Sequence, residues 1–281
     1  MTVKSILPYG LRAIPRMKDP ARYEARSFTG SDFMELHSSE KIDVGMQYPI
    51  LGMKNAETKC LMRKEAAERL YAAARKLPEG YRFRIWDAWR PFALQHELYE
   101  VYSKDVIRYF HLENVSEEER NAVIRGFVSD PIPDHEVPPV HTTGGAIDLT
   151  ILDDHGCELD MGTGFDAFTE LTRTDYFEND ARLDLVRDAK GSLRFDVGQG
   201  TRGVSAENGA EMSMERALQI RDNRRLLFGI MTEAGFTNLP SEWWHFDYGD
   251  RFWAFYNEKS AIYGGVFTKE EIGGYGQFFE G

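Results

Sequence analysis

The sequence predicts an α+β fold: a mainly antiparallel sheet with helices packed against one side. Three observations predict it. Two long stretches, Leu61 to Leu77 and Met214 to Ala234, repeat apolar residues at helical spacing. Two shorter stretches, Tyr81 to Trp86 and Ala146 to Leu152, alternate or carry β-branched residues as strands do. These segments are interleaved along 281 residues with no internal repeat, which suits one large domain.

In chain order, Leu70, Tyr71, Ala74 and Leu77 form the apolar side of the first helix, and Pro78-Glu-Gly80 ends it. Tyr81, Phe83 and Ile85 then share one strand face, with Arg82 and Arg84 on the other. Pro91 suits the first turn of a helix reaching about Tyr102. Arg90 therefore falls at a strand-to-helix junction, a rigid base for a working residue. Asp130 to Pro139 is a loop by its proline density.

The strand Ala146 to Leu152 puts Ala146, Asp148 and Thr150 on one face. His141 stands seven residues before Asp148, an odd step that points the two apart in an unbroken strand. Gly144-Gly145 lets the chain turn and bring them together. Met214 to Ala234 is the second long helix, with Gly235 as its stop. After Pro240, the run Trp243 to Tyr248 reads as a strand with Trp243, His245 and Asp247 on one face and Glu242 at its mouth. Tyr176 to Ala210, with mixed charge and five glycines, reads as an insertion or surface excursion. The glycine- and aromatic-rich tail after Gly264 takes no assignment.

Composition narrows the chemistry. Hydrophobic residues make up 42% of the chain, ample for a packed core. A net charge of −12 without a Lys/Arg run argues against nucleic acid and against an anionic membrane surface as partners. Two cysteines, Cys60 and Cys157, exclude a disulfide framework and an all-thiolate metal site. With no secretory h-region and no apolar run of membrane-spanning length, the expected location is the cytoplasm. Oligomeric state leaves no trace in the sequence.

Two segments carry the functional signal, His141-Thr-Thr-Gly-Gly-Ala-Ile-Asp148 and Glu242-Trp-Trp-His245. They supply two imidazoles, a carboxylate that can complete a three-ligand zinc site, and a second carboxylate beside it. Three protein ligands leave a fourth position for water, and a neighbouring Glu is the general base that metal-assisted hydrolysis needs. The expected cofactor is one Zn²⁺ per chain. His37, His96, His111, His135 and His155 lack such surroundings and read as ordinary histidines. Arg90 reads either as a salt-bridged surface residue or as an oxyanion stabiliser. Asp166, in Met161-Gly-Thr-Gly-Phe-Asp166, reads by pattern as a loop cap, with an anchor for a substrate ammonium as the alternative.

Taken together, the motifs resemble those of the VanX-type D-alanyl-D-alanine dipeptidases, a branch of zinc peptidases that also holds peptidoglycan carboxypeptidases. The resemblance runs in order through Ser27-Phe-Thr-Gly30, Trp86-Asp-Ala-Trp-Arg-Pro91, His141 to Leu149, Met161 to Asp166, Asn223-Arg-Arg-Leu-Leu227 and Glu242 to His245. It implies that His141, Asp148 and His245 bind zinc, that Glu242 is the catalytic base and that Arg90 stabilises the transition state. It further implies that Asp166 anchors the substrate ammonium, which makes a small free dipeptide the substrate. The chain departs from the family at Pro139, where the dipeptidases usually carry Ser, and in the length of Tyr176 to Ala210. The rival expectations are a D,D-carboxypeptidase or endopeptidase on the same metal site, and a zinc-binding protein without catalysis. Glu242 and Arg90 argue against the last, since a structural site needs neither.

Overall fold

The computed structural model describes residues 12–20, 32–135, 137–178 and 212–271. Most of the expected insertion, the Ser27 to Gly30 motif and the end of the tail lie outside these residues. Seven strands and six α-helices follow one another among the described residues. They are β1 (Phe33–Glu35), β2 (Ile42–Val44), α1 (Gln47–Ile50), β3 (Leu61–Arg63), α2 (Lys64–Ala74), β4 (Arg82–Asp87) and α3 (Phe92–Tyr109). Then come α4 (Glu117–Ile124), β5 (Ala146–Leu152), α5 (Met214–Glu233), β6 (Thr237–Asn238), β7 (His245–Asp247) and α6 (Arg251–Asn257).

The main sheet has the order β2-β4-β5-β7-β6. Only the β2–β4 pair is parallel, so the expected α+β class with a mainly antiparallel sheet holds. A separate ribbon pairs β1 with β3. All seven residues of the central strand β5 are buried, including Asp148 and Thr150. The central strand is therefore covered on both faces. Ile147, Leu149 and Ile151 belong to a core shared with Ala66 and Leu70 of α2 and Leu227 and Met231 of α5.

Several boundaries differ from expectation for identifiable reasons. Leu61–Arg63 is strand, because its backbone pairs with β1 before the helix begins at Lys64. α3 continues to Tyr109, seven residues beyond the expected end, and Val106 joins a satellite cluster with Leu112, Ile124 and Phe168. Trp243 lies in a turn ahead of β7, so it does not share the strand face of His245 and Asp247. The start of the tail packs beside a 3₁₀ turn over Val140–Thr143: Trp89 donates through Nε1 to Val266 O at 3.0 Å, and Val266 N to Thr142 O at 2.8 Å.

The two glycines before β5 have separate tasks. Gly144 takes a left-handed conformation, φ 74°, that ends the 3₁₀ turn. Gly145 passes so close to β7 that a Cβ would sit 2.4 Å from Tyr248 O, a backbone atom that cannot step aside. Gly145→Ala should therefore destabilise the protein by about 1–3 kcal/mol, the usual cost of overpacking. An unchanged midpoint in denaturant unfolding would contradict this account of the β5–β7 contact.

Candidate active site

Register assembles the centre. β5 and β7 pair so that Asp148 stands opposite His245 and Ala146 opposite Asp247. Directly opposed residues project to the same face, so Asp148 and His245 meet side by side. β4 reaches the same place from the other flank, with Asp87 opposite Asp148 after an irregularity between Ile85 and Asp87. The 3₁₀ turn then brings His141 back over β5, as its glycines allow.

Three buried ligand atoms converge. His141 Nε2 lies 3.1 Å from His245 Nδ1 and 3.3 Å from Asp148 Oδ2, and His245 Nδ1 lies 3.0 Å from Asp148 Oδ1. The far nitrogens fix the tautomers. His141 Nδ1 is 2.9 Å from Ala88 O, which can only accept, so Nδ1 carries the proton and Nε2 presents a lone pair. His245 Nε2 is 2.8 Å from Asp247 Oδ1, so Nε2–H donates and Nδ1 is left as the lone pair. Two lone pairs and a carboxylate aimed at one point repel each other unless a cation lies among them. The donor set therefore fits a metal ion.

The electrostatics carry the same signature. Burial would push the Asp148 carboxyl up, but His141 and His245 hold it well below the usual carboxylate range. Burial would lower His245, yet Asp247 and Asp148 raise it well above an ordinary imidazole, so the cluster draws a positive charge to Nδ1, a proton unless a metal ion takes its place. Behind Asp247 stands Asp250, which caps α6 by accepting from Phe252 N and Trp253 N. Burial and the neighbouring Asp247 push the Asp250 carboxyl well up.

Glu242 sits at the edge of this centre, in the turn after Pro240, with Oε2 3.8 Å from His245 Nδ1. Asn238 secures that turn by donating to Glu242 O at 3.1 Å and His245 O at 2.9 Å. Burial pushes the Glu242 carboxyl up to about 8; Asp148 and Asp166 act the same way, while His245 and Arg90 oppose them.

Arg90 is buried and held on three sides. Nε donates to Asp87 Oδ2 at 2.9 Å, Nη1 to Gln95 Oε1 at 2.8 Å and Nη2 to the Tyr48 hydroxyl at 3.2 Å. Asp148 Oδ2 lies 3.6 Å from Nη2. Burial works against its charge, but Tyr48, Asp87 and Asp148 outweigh it and keep the guanidinium protonated. The surface salt-bridge reading of Arg90 does not describe this residue.

Asp166 is not a loop cap. It adopts a left-handed backbone, φ 56°, and its Oδ2 accepts from Tyr102 at 2.7 Å and Tyr48 at 3.0 Å. Burial pushes both phenols well above their usual value, so they remain donors. Burial likewise pushes Asp166 up to about 6, with Asp148 adding to the effect and the two phenols and Arg90 opposing it. Tyr48, Arg90, Tyr102, His141, Asp148, Asp166, Glu242 and His245 all line one cleft, and Pro139 lies on its wall. The cavity that these residues enclose is small, about 60 Å³.

All six residues singled out in the sequence thus meet in this cleft. Tyr48, Tyr102, Gln95, Asp87 and Asp247 were missed. Two carried a usable signal: Asp247 is an acid two residues beyond a ligand-type histidine and hence on its strand face, and Asp87 stands inside the Trp86 to Pro91 motif.

A cleft joining a His-Asp-His cluster to a free Glu and a fixed Arg defines a metallopeptidase. The comparisons agree: a sequence model of the D-ala-D-ala dipeptidase family, peptidase M15, matches residues 49–262, and the chain belongs to that family. It is 29% identical over 196 residues to the D-alanyl-D-alanine dipeptidase of Synechocystis sp., covering 65% of this chain and 68% of the relative. It is 27% identical over 197 residues to the D-alanyl-D-alanine dipeptidase of Escherichia coli, covering 68% of each. Among the described residues, no helix is long and apolar enough to cross a membrane.

The Asp247 carboxylate fixes the ring of His245, and removing such a partner weakens metal binding by about 10–100-fold. Asp247→Ala should show that loss in a chelator competition. Unchanged affinity would mean that the carboxylate does not orient the imidazole.

Proposed function

We propose that this protein is a zinc-dependent dipeptidase that hydrolyses free D-alanyl-D-alanine or a similarly small dipeptide. The observation that carries the reading is the presence, in one cleft, of the convergent cluster, Glu242 at its edge and Asp166 clamped by two phenols. The names of the curated relatives point to the same substrate.

In this reading His141 through Nε2, His245 through Nδ1 and Asp148 hold the ion. Two imidazoles and one carboxylate suit zinc with an open position. Zinc, when bound, supplies Lewis acidity toward water and the scissile carbonyl. Glu242 takes the proton of the attacking water and returns it to the leaving amine. Its raised proton affinity suits a group that must hold a proton between two steps, and a cation beside it draws that value back toward neutrality. Arg90, already oriented by Asp87, Gln95 and Tyr48, stabilises the oxyanion without reorganising. Asp166 receives the substrate ammonium on Oδ1, the oxygen that the two phenols leave open. A blocked amino terminus would leave that carboxylate desolvated and unpaired, so longer and acylated peptides are rejected.

Glu242→Gln keeps the shape of the side chain but cannot accept the proton. It should retain about one zinc per chain, as three-ligand coordination requires, and lose on the order of 10²–10⁴-fold in kcat. A variant that sheds its metal and recovers activity on zinc re-addition would make Glu242 a bystander or a ligand. The pH profile tests Asp166. Its carboxyl, raised to about 6, is the required anion above that pH and neutral below it. The advantage in kcat/KM of the free dipeptide over its N-acetyl form should therefore fall as pH drops through about 6. An advantage constant from pH 5 to 8, where an unperturbed Asp is ionised throughout, would contradict the assignment.

A further inference from the structure

The Asn223-Arg-Arg-Leu-Leu227 motif has no part in the chemistry above, yet it holds the most unusual cation among the described residues. Arg224 is 1% exposed, and its guanidinium donates to backbone carbonyls. Nε and Nη2 donate to Met161 O at 2.9 and 2.6 Å, Nη2 also to Leu171 O at 2.7 Å, and Nη1 to Arg173 O at 2.7 Å. Burial pulls its pKa down to about 9, with Asp160 and Asp175 opposing from a distance. One residue earlier, Asn223 Nδ2 donates to Asp160 O at 2.8 Å.

The carbonyls so gathered belong to positions 160, 161, 171 and 173, the two ends of the loop that carries Asp166. That loop needs outside support. Asp166 stands in a left-handed conformation at φ 56°, which costs energy for a residue with a side chain. Gly162, at φ 87°, lies so close to α5 that a Cβ would meet Ile220 at 3.1 Å. The loop also reaches the catalytic turn: Trp243 N donates to Thr172 O at 3.0 Å, and Trp243 Nε1 to Thr163 Oγ1 at 2.8 Å. The Arg224 guanidinium lies 5.9 Å from the Trp243 ring.

We infer that Arg224, assisted by Asn223, is a positioning residue that sets the enzyme's demand for a free amino terminus by fixing the loop that presents Asp166. This inference rests on Asp166 being the ammonium anchor. A buried guanidinium without a hydrogen-bonded acid is costly to retain, and an apolar residue of like size would fill the space. A rigid planar donor array can tie two separated strands of loop backbone at once. A lysine, whose three donors radiate from one atom, cannot span the same carbonyls.

The test compares the unmodified zinc enzyme with Arg224→Lys, Asn223→Ala and Asp166→Ala. For each, zinc content, kcat and KM on free and N-acetylated D-alanyl-D-alanine, and amide hydrogen exchange over residues 160–173 are measured. With zinc retained, Arg224→Lys should speed exchange in 160–173. It should raise KM for the free dipeptide, and so cut its advantage over the acetylated one, on the order of tenfold, the scale of a displaced charge-assisted bond. Asn223→Ala should shift both readouts the same way by less, and serves if the lysine variant does not fold. An Arg224→Lys or Asn223→Ala enzyme that loses rate on both substrates equally, its preference intact, overturns the inference. If Asp166→Ala lowers the preference while neither α5 variant does, the inference fails alone. If Asp166→Ala also leaves it untouched, the anchor reading fails and takes the inference with it.

Discussion

The site depends on the pairing of Asp148 with His245 across β5 and β7. A one-residue slip would turn His245, and Asp247 with it, to the opposite face of the sheet, away from Asp148. Register is held by the closeness of the two strands at Gly145, by burial of every β5 side chain and by Asn238, which ties the chain on both sides of Glu242 and His245. The third member arrives by a different device. His141 is on the wrong parity for an unbroken strand, so a 3₁₀ turn ending in a left-handed glycine carries it over β5. Strand pairing thus brings two of the three groups together, and loop geometry supplies the third.

Around that cluster lies a dense group of acids: Asp87, Asp148, Asp247 and Asp250 are buried, and Asp166 and Glu242 are half-buried at the cleft. All but Glu242 are answered by a specific neighbour. Arg90 neutralises the field from Asp87 and Asp148, the imidazoles hold Asp148 ionised, and the phenols of Tyr48 and Tyr102 solvate Asp166. The carboxylates therefore divide by environment: Asp148 is held ionised by the two imidazoles, whereas Glu242, with no hydrogen-bond donor to its carboxylate among the described residues, is driven toward protonation. In the proposed mechanism, environment alone separates Asp148 as ligand from Glu242 as base.

The principal residues were legible in the sequence because their chemistry is rare and local. Imidazoles beside acids, with glycines where a turn was needed, identified His141, Asp148, His245 and Glu242. Strand β5 was readable to the residue because it is long and buried on both faces. β1, β2 and β6 were not, since two or three residues leave no period to detect. Tyr48 and Tyr102 escaped for another reason: each is an ordinary tyrosine, 118 and 64 positions from the Asp166 that it meets. Arg224 entered the sequence reading only as part of the Asn223-Arg-Arg-Leu-Leu227 motif, and only the fold shows that it faces inward. Parity misled at Trp243, where the turn after Pro240 extends further than the aromatic run suggests.

The central claim is that one metal ion joins His141, Asp148 and His245 while Glu242 stays free. X-ray absorption of the zinc-loaded enzyme, with anomalous diffraction at the zinc edge, measures this directly. The account predicts a single zinc with two imidazole nitrogens and one protein carboxylate oxygen, His141 bound through Nε2 and His245 through Nδ1. A zinc ion coordinated by Glu242, or located away from the β5–β7 pair, would contradict it.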